Sequence, residues 1–333
     1  MYRGATVGAV VPAYNEGGFI GEVIDTLPEF VDRAYVVDDG STDGTWGEIV
    51  RHAERANERW RAEAPRTDGG VGFDRRVVPV RHERNRGVGG AIKTGYGRAL
   101  EDGVDVTTVI SGDGQTEPDI VERIIRPVAD GRADYAKGNR LRGRDRDSMP
   151  PFRQFGNFVL SLLTKIASGY WKVADPQNGS TAISHEALVE LDLDSLYEDY
   201  GFANDLLVRL NVHGMRVADV SRRAVYKDET SHIRYKTFVP RLSKLLLRDF
   251  LWRLRAKYLT DDFHPLPFFY YFGAFAASVG LLSLFRRIAR RDGDALDALT
   301  LFLLGWLFML FAMVFDLRQN EDLQVLVYDH PDD

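Results

Sequence analysis

The chain has 333 residues, 44% of them hydrophobic and 11% aromatic, enough for one large domain or two smaller ones with a substantial core. It contains no cysteine, so disulfides and thiolate metal sites are excluded, and Met1 to Gly8 lacks the basic-then-apolar pattern of a signal peptide. A formal charge of -6, with Arg far outnumbering Lys, argues against a general nucleic-acid binder and suits a salt-adapted cytoplasm.

Val7 to Pro12 reads as a first buried strand, and Ala13-Tyr14-Asn15-Glu16 leads into a helix with Ile20, Val23, Ile24 and Leu27 at helical spacing and Pro28 at its end. Tyr35-Val36-Val37 is a second strand. It runs into Asp38-Asp39-Gly40-Ser41-Thr42-Asp43-Gly44-Thr45, where two adjacent carboxylates precede a helix. Asp38 or Asp39 could accept from a base N–H or a ribose hydroxyl, and Ser41 or Asp43 could equally be a plain helix cap. Residues 57–76 are polar and Gly-containing and are expected to form a surface loop. After a strand at Val77 to Val80, a Gly-rich turn from Asn85 through Gly87 to Gly95 opens a helix. Its free N–H groups make Asn85 and Gly87 candidates for holding donor phosphates. Ile92 precedes Lys93-Thr94 where a P-loop needs glycine, and the glycines do not fit the dinucleotide fingerprint, so both standard nucleotide signatures are rejected.

Thr107-Thr108-Val109-Ile110 is a short β-branched strand that stops at Ser111-Gly112-Asp113-Gly114-Gln115. Asp113 and Gln115 therefore emerge at a strand's carboxyl end, where α/β sheets bind ligands. A carboxylate and an amide oxygen two positions apart can both face one hard cation, Mg2+ or Mn2+. A helix from Pro118 towards Val128 and a strand at Ala133 to Ala136 lead to Gly138-Asn139-Arg140-Leu141-Arg142-Gly143-Arg144, with Arg153 opening the next helical segment. These arginines point to anion binding. Asp175-Pro176-Gln177-Asn178-Gly179-Ser180 is a polar turn before a strand at Thr181 to Ser184. Asp205 stands near the start of a helix running to Val212, as a helix-dipole partner or as a general base. The alternation predicts an α/β fold, a mainly parallel sheet with helices on both faces.

The last third differs. Arg241 to Tyr258 alternates basic residues with Leu, Phe and Trp, as in a helix lying along a membrane surface. Leu266 to Phe285 and Ala298 to Phe315 are charge-free, apolar on every face and of a length that crosses a bilayer, so a two-helix membrane hairpin is expected. Six basic residues before the first span favour a cytoplasmic globular part, and Arg286, Arg287, Arg290 and Arg291 in the connecting loop pull against it.

In order, Val11-Pro12-Ala13-Tyr14-Asn15-Glu16, the Asp38 to Thr45 loop, Asn85-Arg86-Gly87 and Ser111 to Gln115 resemble the family 2 glycosyltransferases of the GT-A fold. Gly138-Asn139-Arg140, Arg153 and Asp175 to Gly179 are similar to the family's polyprenyl-phosphate branch, the dolichyl-phosphate mannose and glucose synthases. The resemblance covers about residues 5–235. It implies that Pro12, Tyr14, Glu16 and Asp39 hold the donor nucleotide and that Asp113 and Gln115 bind the divalent metal. It further implies that Arg140 and Arg153 grip the lipid phosphate, and that transfer inverts the anomeric carbon. Asp205 sits where the family often carries an acidic residue, which leaves it a supporting role. Ser111 departs from the usual first Asp of the Asp-x-Asp motif and removes one charge from the metal site, with activity expected to survive.

The expected layout is a GT-A domain at residues 1–235, an interfacial linker helix at 236–262, two membrane helices at 263–318 and a polar tail at 319–333. The implied reaction moves a hexose from a UDP- or GDP-linked donor to dolichyl or polyprenyl phosphate at the cytoplasmic membrane face. The implied partners are the nucleotide sugar, the lipid phosphate and the bilayer, with no nucleic acid. Two other readings stand beside it. One is transfer to a lipid or polysaccharide hydroxyl, although the processive synthases' Gln-x-x-Arg-Trp motif is absent. The other is an inactive membrane scaffold.

Overall fold

The unbroken apolar run at the start of the chain forms β1 (Val7–Ala13), where Val7, Ala9, Val10 and Val11 are all 0% exposed. A computed structural model describes residues 1–63, 73–112, 118–140, 151–221, 235–261, 263–290 and 295–327, with the backbone alone at 151–155, 157, 235–237 and 261. Seven further strands join β1: β2 (Arg33–Asp38), β3 (Val77–Arg81), β4 (Val106–Val109), β5 (Tyr135–Asn139), β6 (Thr181–Ser184), β7 (Val217–Ser221) and β8 (Gln324–Val327). They make one sheet in the order β3-β2-β1-β4-β6-β5-β7-β8. Every neighbouring pair is parallel except those of β6, which runs antiparallel between β4 and β5. The carboxyl ends of the parallel strands therefore share one edge, and the amino end of β6 meets them there, Thr181 pairing with Val109 and Lys137.

Seven helices accompany the sheet: α1 (Ile20–Asp25), α2 (Thr45–Glu63), α3 (Val88–Glu101), α4 (Pro118–Ala129), α5 (Pro151–Ser168), α6 (His185–Glu190) and α7 (Phe202–Val212). Period-two alternation in the strands sends side chains to opposite faces. Val7, Ala9 and Val11 pack with Ile20 and Val23 of α1, Ile49 and Ala53 of α2 and Ile124 of α4. Val10 and Tyr35 pack the other way, with Ile92 and Tyr96 of α3, Ala187 of α6 and Leu206 of α7. Each fully buried Val or Ile contributes roughly 1.5–3 kcal/mol. The mainly parallel sheet with helices on both faces is as expected.

Two expectations fail. Residues 57–63 are helix, because Ala53, Ala56 and Asn57 continue the buried stripe of α2. Asn57 also exchanges two 2.8 Å bonds with the backbone of Val77, satisfying the start of β3. The segment read as a polar tail contains β8, which pairs in parallel with β7 and sets Val325 and Val327 against the core. Its four residues, flanked by charges, are too short to announce a strand.

Helix α8 (Tyr235–Arg255) buries Leu242, Leu245 and Leu246 against Ala167 of α5 and Val208 of α7. Its opposite side leaves Val239, Leu247, Leu251 and Trp252 exposed. After a π-helical turn at Ala256–Asp261 come α9 (Leu266–Arg290) and α10 (Leu296–Gln319), both long and apolar enough to cross a membrane. They pack on each other through small residues. A Cβ added at Gly273 would lie 2.8 Å from the Gly305 carbonyl oxygen, and one added at Gly305 would lie still closer to the backbone N of Ala277. Such contacts let two backbones meet where no hydrophobic gain drives association. Their outer faces are apolar and open, with Phe272, Phe275, Leu303 and Leu310 all exposed, which is not how a core hairpin is built.

Gly305→Leu is expected to force the two helices apart at a cost of about 1–3 kcal/mol. It should lower the thermal midpoint of the detergent-solubilised protein, whereas Leu310→Ala on the outer face should leave it unchanged.

Candidate active site

Asp39, at the end of β2, organises one half of the sheet's carboxyl edge. It is 3% exposed. Its Oδ1 accepts from Arg86 N at 2.9 Å and from His82 Nδ1 at 2.7 Å, and its Oδ2 accepts from Gly87 N at 2.8 Å. The carboxylate thus exchanges its lost hydration for three N–H donors, which a buried charge requires. Because a carboxylate only accepts, His82 presents Nδ1–H to it, and its Nε2 meets Thr94 Oγ1 at 2.9 Å. Gly87, whose N–H Asn85 Oδ1 also accepts at 2.9 Å, has φ +87° and lies against the Glu198 carbonyl, where a side chain would be strained and blocked.

The loop after β1 is stitched to the loop after β2. Asn15, in the left-handed region at φ +55°, donates its N–H to Ser41 Oγ at 2.9 Å and accepts from Thr42 N at 2.9 Å. Asp39 N donates to Ala13 O at 2.8 Å. Asp43 accepts from Thr45 N and Oγ1 in a turn just before α2, and those bonds lower its carboxyl. Pro12 and Glu16 are half-buried beside this junction, and Tyr14 is 45% exposed. A Cβ at Gly112 would lie 2.7 Å from the Pro12 carbonyl oxygen, so the chain leaves β4 directly against the β1 loop. Asp113 and Gln115 follow immediately and lie outside the described residues. Lys93 is no phosphate ligand here. Its buried amine donates to Asp194 O, Leu196 O and Glu198 Oε1 at 3.0, 3.1 and 3.1 Å, tying α3 to the segment before α7.

The other half of the edge is built on Arg140 and Lys137 with buried carboxylates beside them. Arg140, just past β5, sends Nε and Nη2 to the two Asp175 oxygens at 2.8 and 3.1 Å, and its own N–H to Oδ2 at 3.1 Å. Asn178 Nδ2 adds a bond to the same carboxylate at 3.0 Å. Burial alone would raise the Asp175 carboxyl, but the Arg140 bonds and charge, with Lys137, hold it well below the usual carboxylate range. Asp175 sits at φ +49°, a conformation these contacts over-determine. Lys137, 0% exposed, donates to the carbonyls of Ala174 at 2.8 Å and of Asp175. Asn139 donates to Asp219 Oδ2 at 2.9 Å. Arg153 lies in the first turn of α5, and its side chain is outside the described residues, as are Leu141 to Arg144. Neither Lys137 nor His82 was singled out in the sequence. The available signals were a lysine inside an otherwise small-residue strand and a histidine at the end of β3.

Asp205 is turned to other work. It is 1% exposed in the first turn of α7, and its Oδ2 accepts from Tyr197 N at 2.9 Å and from Arg209 Nε at 3.1 Å. Arg248 of α8 stands 3.7 Å from Oδ1. Burial and the Asp205 charge together push the neighbouring Asp249 carboxyl up to about 6. A carboxylate held this way anchors the loop before α7 and joins α7 to α8.

Arg140→Met would strand the buried Asp175 charge and is expected to cost about 1–3 kcal/mol at neutral pH. In the wild type the depressed Asp175 contributes stability above the unfolded carboxylate value near 4 and loses it as pH falls further. In the variant the orphaned carboxyl titrates higher, so its penalty disappears on acidification. Chemical denaturation at several pH values should show the gap between the two proteins narrowing as pH falls.

The model of the family described as glycosyl transferase family 2 matches residues 9–192, from β1 to just beyond α6. The UDP-N-acetylglucosamine–dolichyl-phosphate N-acetylglucosaminyltransferase of Methanococcus voltae is 29% identical over 221 residues, 66% of this chain and 85% of that protein. The undecaprenyl-phosphate mannosyltransferase of Micrococcus luteus is 30% identical over 220 residues, 63% of this chain and 80% of that protein. Among solved structures, glucosyl-3-phosphoglycerate synthase of Mycobacterium tuberculosis, in complex with Mn2+ and UDP-glucose, superposes with a TM-score of 0.48 at 22% identity, covering 75% of this chain and 79% of that one. A carboxyl-edge site on this sheet, with the motifs in family order, accords with the family match, and the chain belongs to glycosyl transferase family 2.

Proposed function

We propose that this glycosyltransferase moves a hexose from a nucleotide-diphosphate donor to the phosphate of a dolichol or another polyprenol at a membrane surface. The observation that carries the reading is the division of the sheet edge. Nucleotide-family loops held by Asp39 stand on one side, and the Arg140–Asp175 pair with buried Lys137 stands on the other. A hydroxyl acceptor needs a base. Asp205 is committed to Tyr197 and Arg209, which disfavours that alternative. A phosphate monoester has its second pKa near 6 and is already a nucleophile at neutral pH. Such an acceptor needs cations to hold it more than a base. Relatives named for dolichyl and undecaprenyl phosphate support the same acceptor class.

In this reading Pro12, Tyr14, Glu16 and Asp39 form the donor side, with Asn85 and Gly87 shaping the turn that faces the diphosphate. Asp39 acts largely by folding the 85–87 turn into place, which leaves the exposed Tyr14 ring to cover the base. Arg140, pre-aimed by Asp175, and Arg153 at the head of α5 hold the acceptor phosphate, since guanidinium forks bind phosphate oxygens in pairs. An acceptor oxygen then attacks the anomeric carbon from the face opposite the leaving group. The bond from that carbon to the donor diphosphate breaks, a bond to the acceptor phosphate forms, and the configuration inverts. Asp113 and Gln115 offer oxygen donors suited to a hard cation, and a bound Mg2+ or Mn2+ would neutralise the charge left on the departing diphosphate. Ser111, in place of a second carboxylate, would make that ion weaker-held. We place α9 and α10 across the bilayer, with the catalytic domain on the cytoplasmic side where nucleotide sugars are made.

The test uses membranes containing the protein, Mg2+ or Mn2+, dolichyl phosphate and a panel of labelled UDP- and GDP-sugars. Label should enter the lipid phase from one donor and fall by at least about tenfold in Asp113→Ala and Arg140→Ala. Asp205→Asn should retain the larger part of the activity if it remains folded. No lipid product from any donor, with the fold intact, would overturn the phosphate acceptor.

A further inference from the structure

The junction between the catalytic domain and the hairpin contains a charge pair that the sugar-transfer chemistry does not use. Arg253 of α8 and Asp316, at the end of α10, are both 0% exposed. Arg253 Nη1 and Nη2 meet the two Asp316 oxygens at 2.9 Å each, a closed fork. Tyr258 OH donates to Asp316 Oδ1 at 2.8 Å, and Trp171 Nε1 donates to Oδ2 at 3.2 Å. Asn320 Nδ2, one turn further on, donates to Oδ1 at 3.0 Å. The rest of the Arg253 guanidinium is spent on the catalytic domain. Nε donates to Ala167 O at 2.8 Å and Nη2 to Ile166 O at 3.0 Å, both in the last turn of α5. Lys257 Nζ bridges Asn211 O of α7 and Asn320 Oδ1, at 2.8 Å each.

A buried ion pair is a poor device for stability, because well-packed apolar residues of similar volume serve as well. What such a pair can specify is register. The contact between α9 and α10 combines small residues with Phe269 against Phe308 and Phe315, and it sets those two helices against each other without tying them to the catalytic domain. Asp316 meets its donors at only one height of α10, since a slip of one helical turn, about 5.4 Å, removes it from Arg253. The same arginine holds the carboxyl end of α5. Arg153 is in that helix's first turn and the latch contacts are in its last, so the helix is a rod of roughly 20 Å between the latch and the acceptor arginine. After Asn320 the chain enters β8 in the catalytic sheet, which holds the far side of α10 as well.

We propose that Arg253 and Asp316 form a register latch, with Tyr258 as its support, that fixes the height of the acceptor arginines above the bilayer and so matches them to a phosphate carried on a long, membrane-buried tail. The residues are positioning residues and touch no substrate. The inference rests on the polyprenyl-phosphate reading above and adds to it that acceptor presentation is set at the junction.

The test compares two acceptors in the full-length protein: dolichyl phosphate in liposomes, and geranyl phosphate in detergent micelles, where no bilayer fixes the phosphate height. The panel of labelled UDP- and GDP-sugars used above supplies the donors. The variant Arg253→Met with Asp316→Leu roughly keeps volume and removes the two opposite charges together. It should transfer to geranyl phosphate at close to the wild-type rate and lose about tenfold to a hundredfold with dolichyl phosphate, the effect of a small misplacement. Tyr258→Phe, which removes one hydroxyl, should show the same split at a few-fold. Parallel loss with both acceptors, or no loss with either in both variants, would overturn the latch. A wild-type protein that uses neither lipid would overturn the acceptor reading and the latch with it.

Discussion

A carboxylate taken out of water must find donors, and this constraint shapes the catalytic edge more than any other. Asp39 is buried at the end of β2 and satisfied by His82 and by the N–H groups of Arg86 and Gly87. Those bonds draw the segment after β3 down beside the loop after β1, and Gly87 supplies the backbone conformation that the approach needs. Across the sheet Asp175 repeats the logic with Arg140, Asn178 and Lys137. Two buried acids therefore pre-form the two halves of this edge, and in the proposed reaction one half takes the nucleotide diphosphate and the other the acceptor phosphate. An edge assembled before the substrates arrive reorganises little during transfer, which is where electrostatic catalysis gains most.

The second organising feature is the way the hairpin joins the domain. α8 is apolar on two sides, one packed on α5 and α7 and one exposed, so it belongs to the catalytic body as well as to the surface beside it. β8 returns the chain to the sheet after α10. The hairpin is thereby continuous with the fold at both of its ends, unlike an anchor on a flexible tether.

Much of this was legible beforehand, because strands buried on both faces read as apolar runs. Val7 to Pro12 and Tyr35 to Val37 stand out for that reason, and the two charge-free stretches announce α9 and α10. Gln324 to Val327 did not, since four residues acquire a strand's identity only from the neighbour they pair with. The extension of α2 through Asn57 was hidden by its polarity, which serves a backbone of β3 twenty residues away. At the site, residue types were readable and pairings were not. The motifs point to Arg140 and to Asp175 separately, but only the fold shows that they are one bidentate unit. Likewise Asp205 reads as a base or as a helix partner until Tyr197 and Arg209 are seen to occupy it.

In the proposed reaction the acceptor atom is a phosphate oxygen. The most direct measurement is therefore the linkage in the lipid product, by mass spectrometry before and after mild acid. A sugar joined through a phosphodiester at its anomeric carbon should release as free sugar under mild acid and leave polyprenyl phosphate. A product of the same sugar that survives mild acid as an ordinary glycoside would show a hydroxyl acceptor and contradict the account.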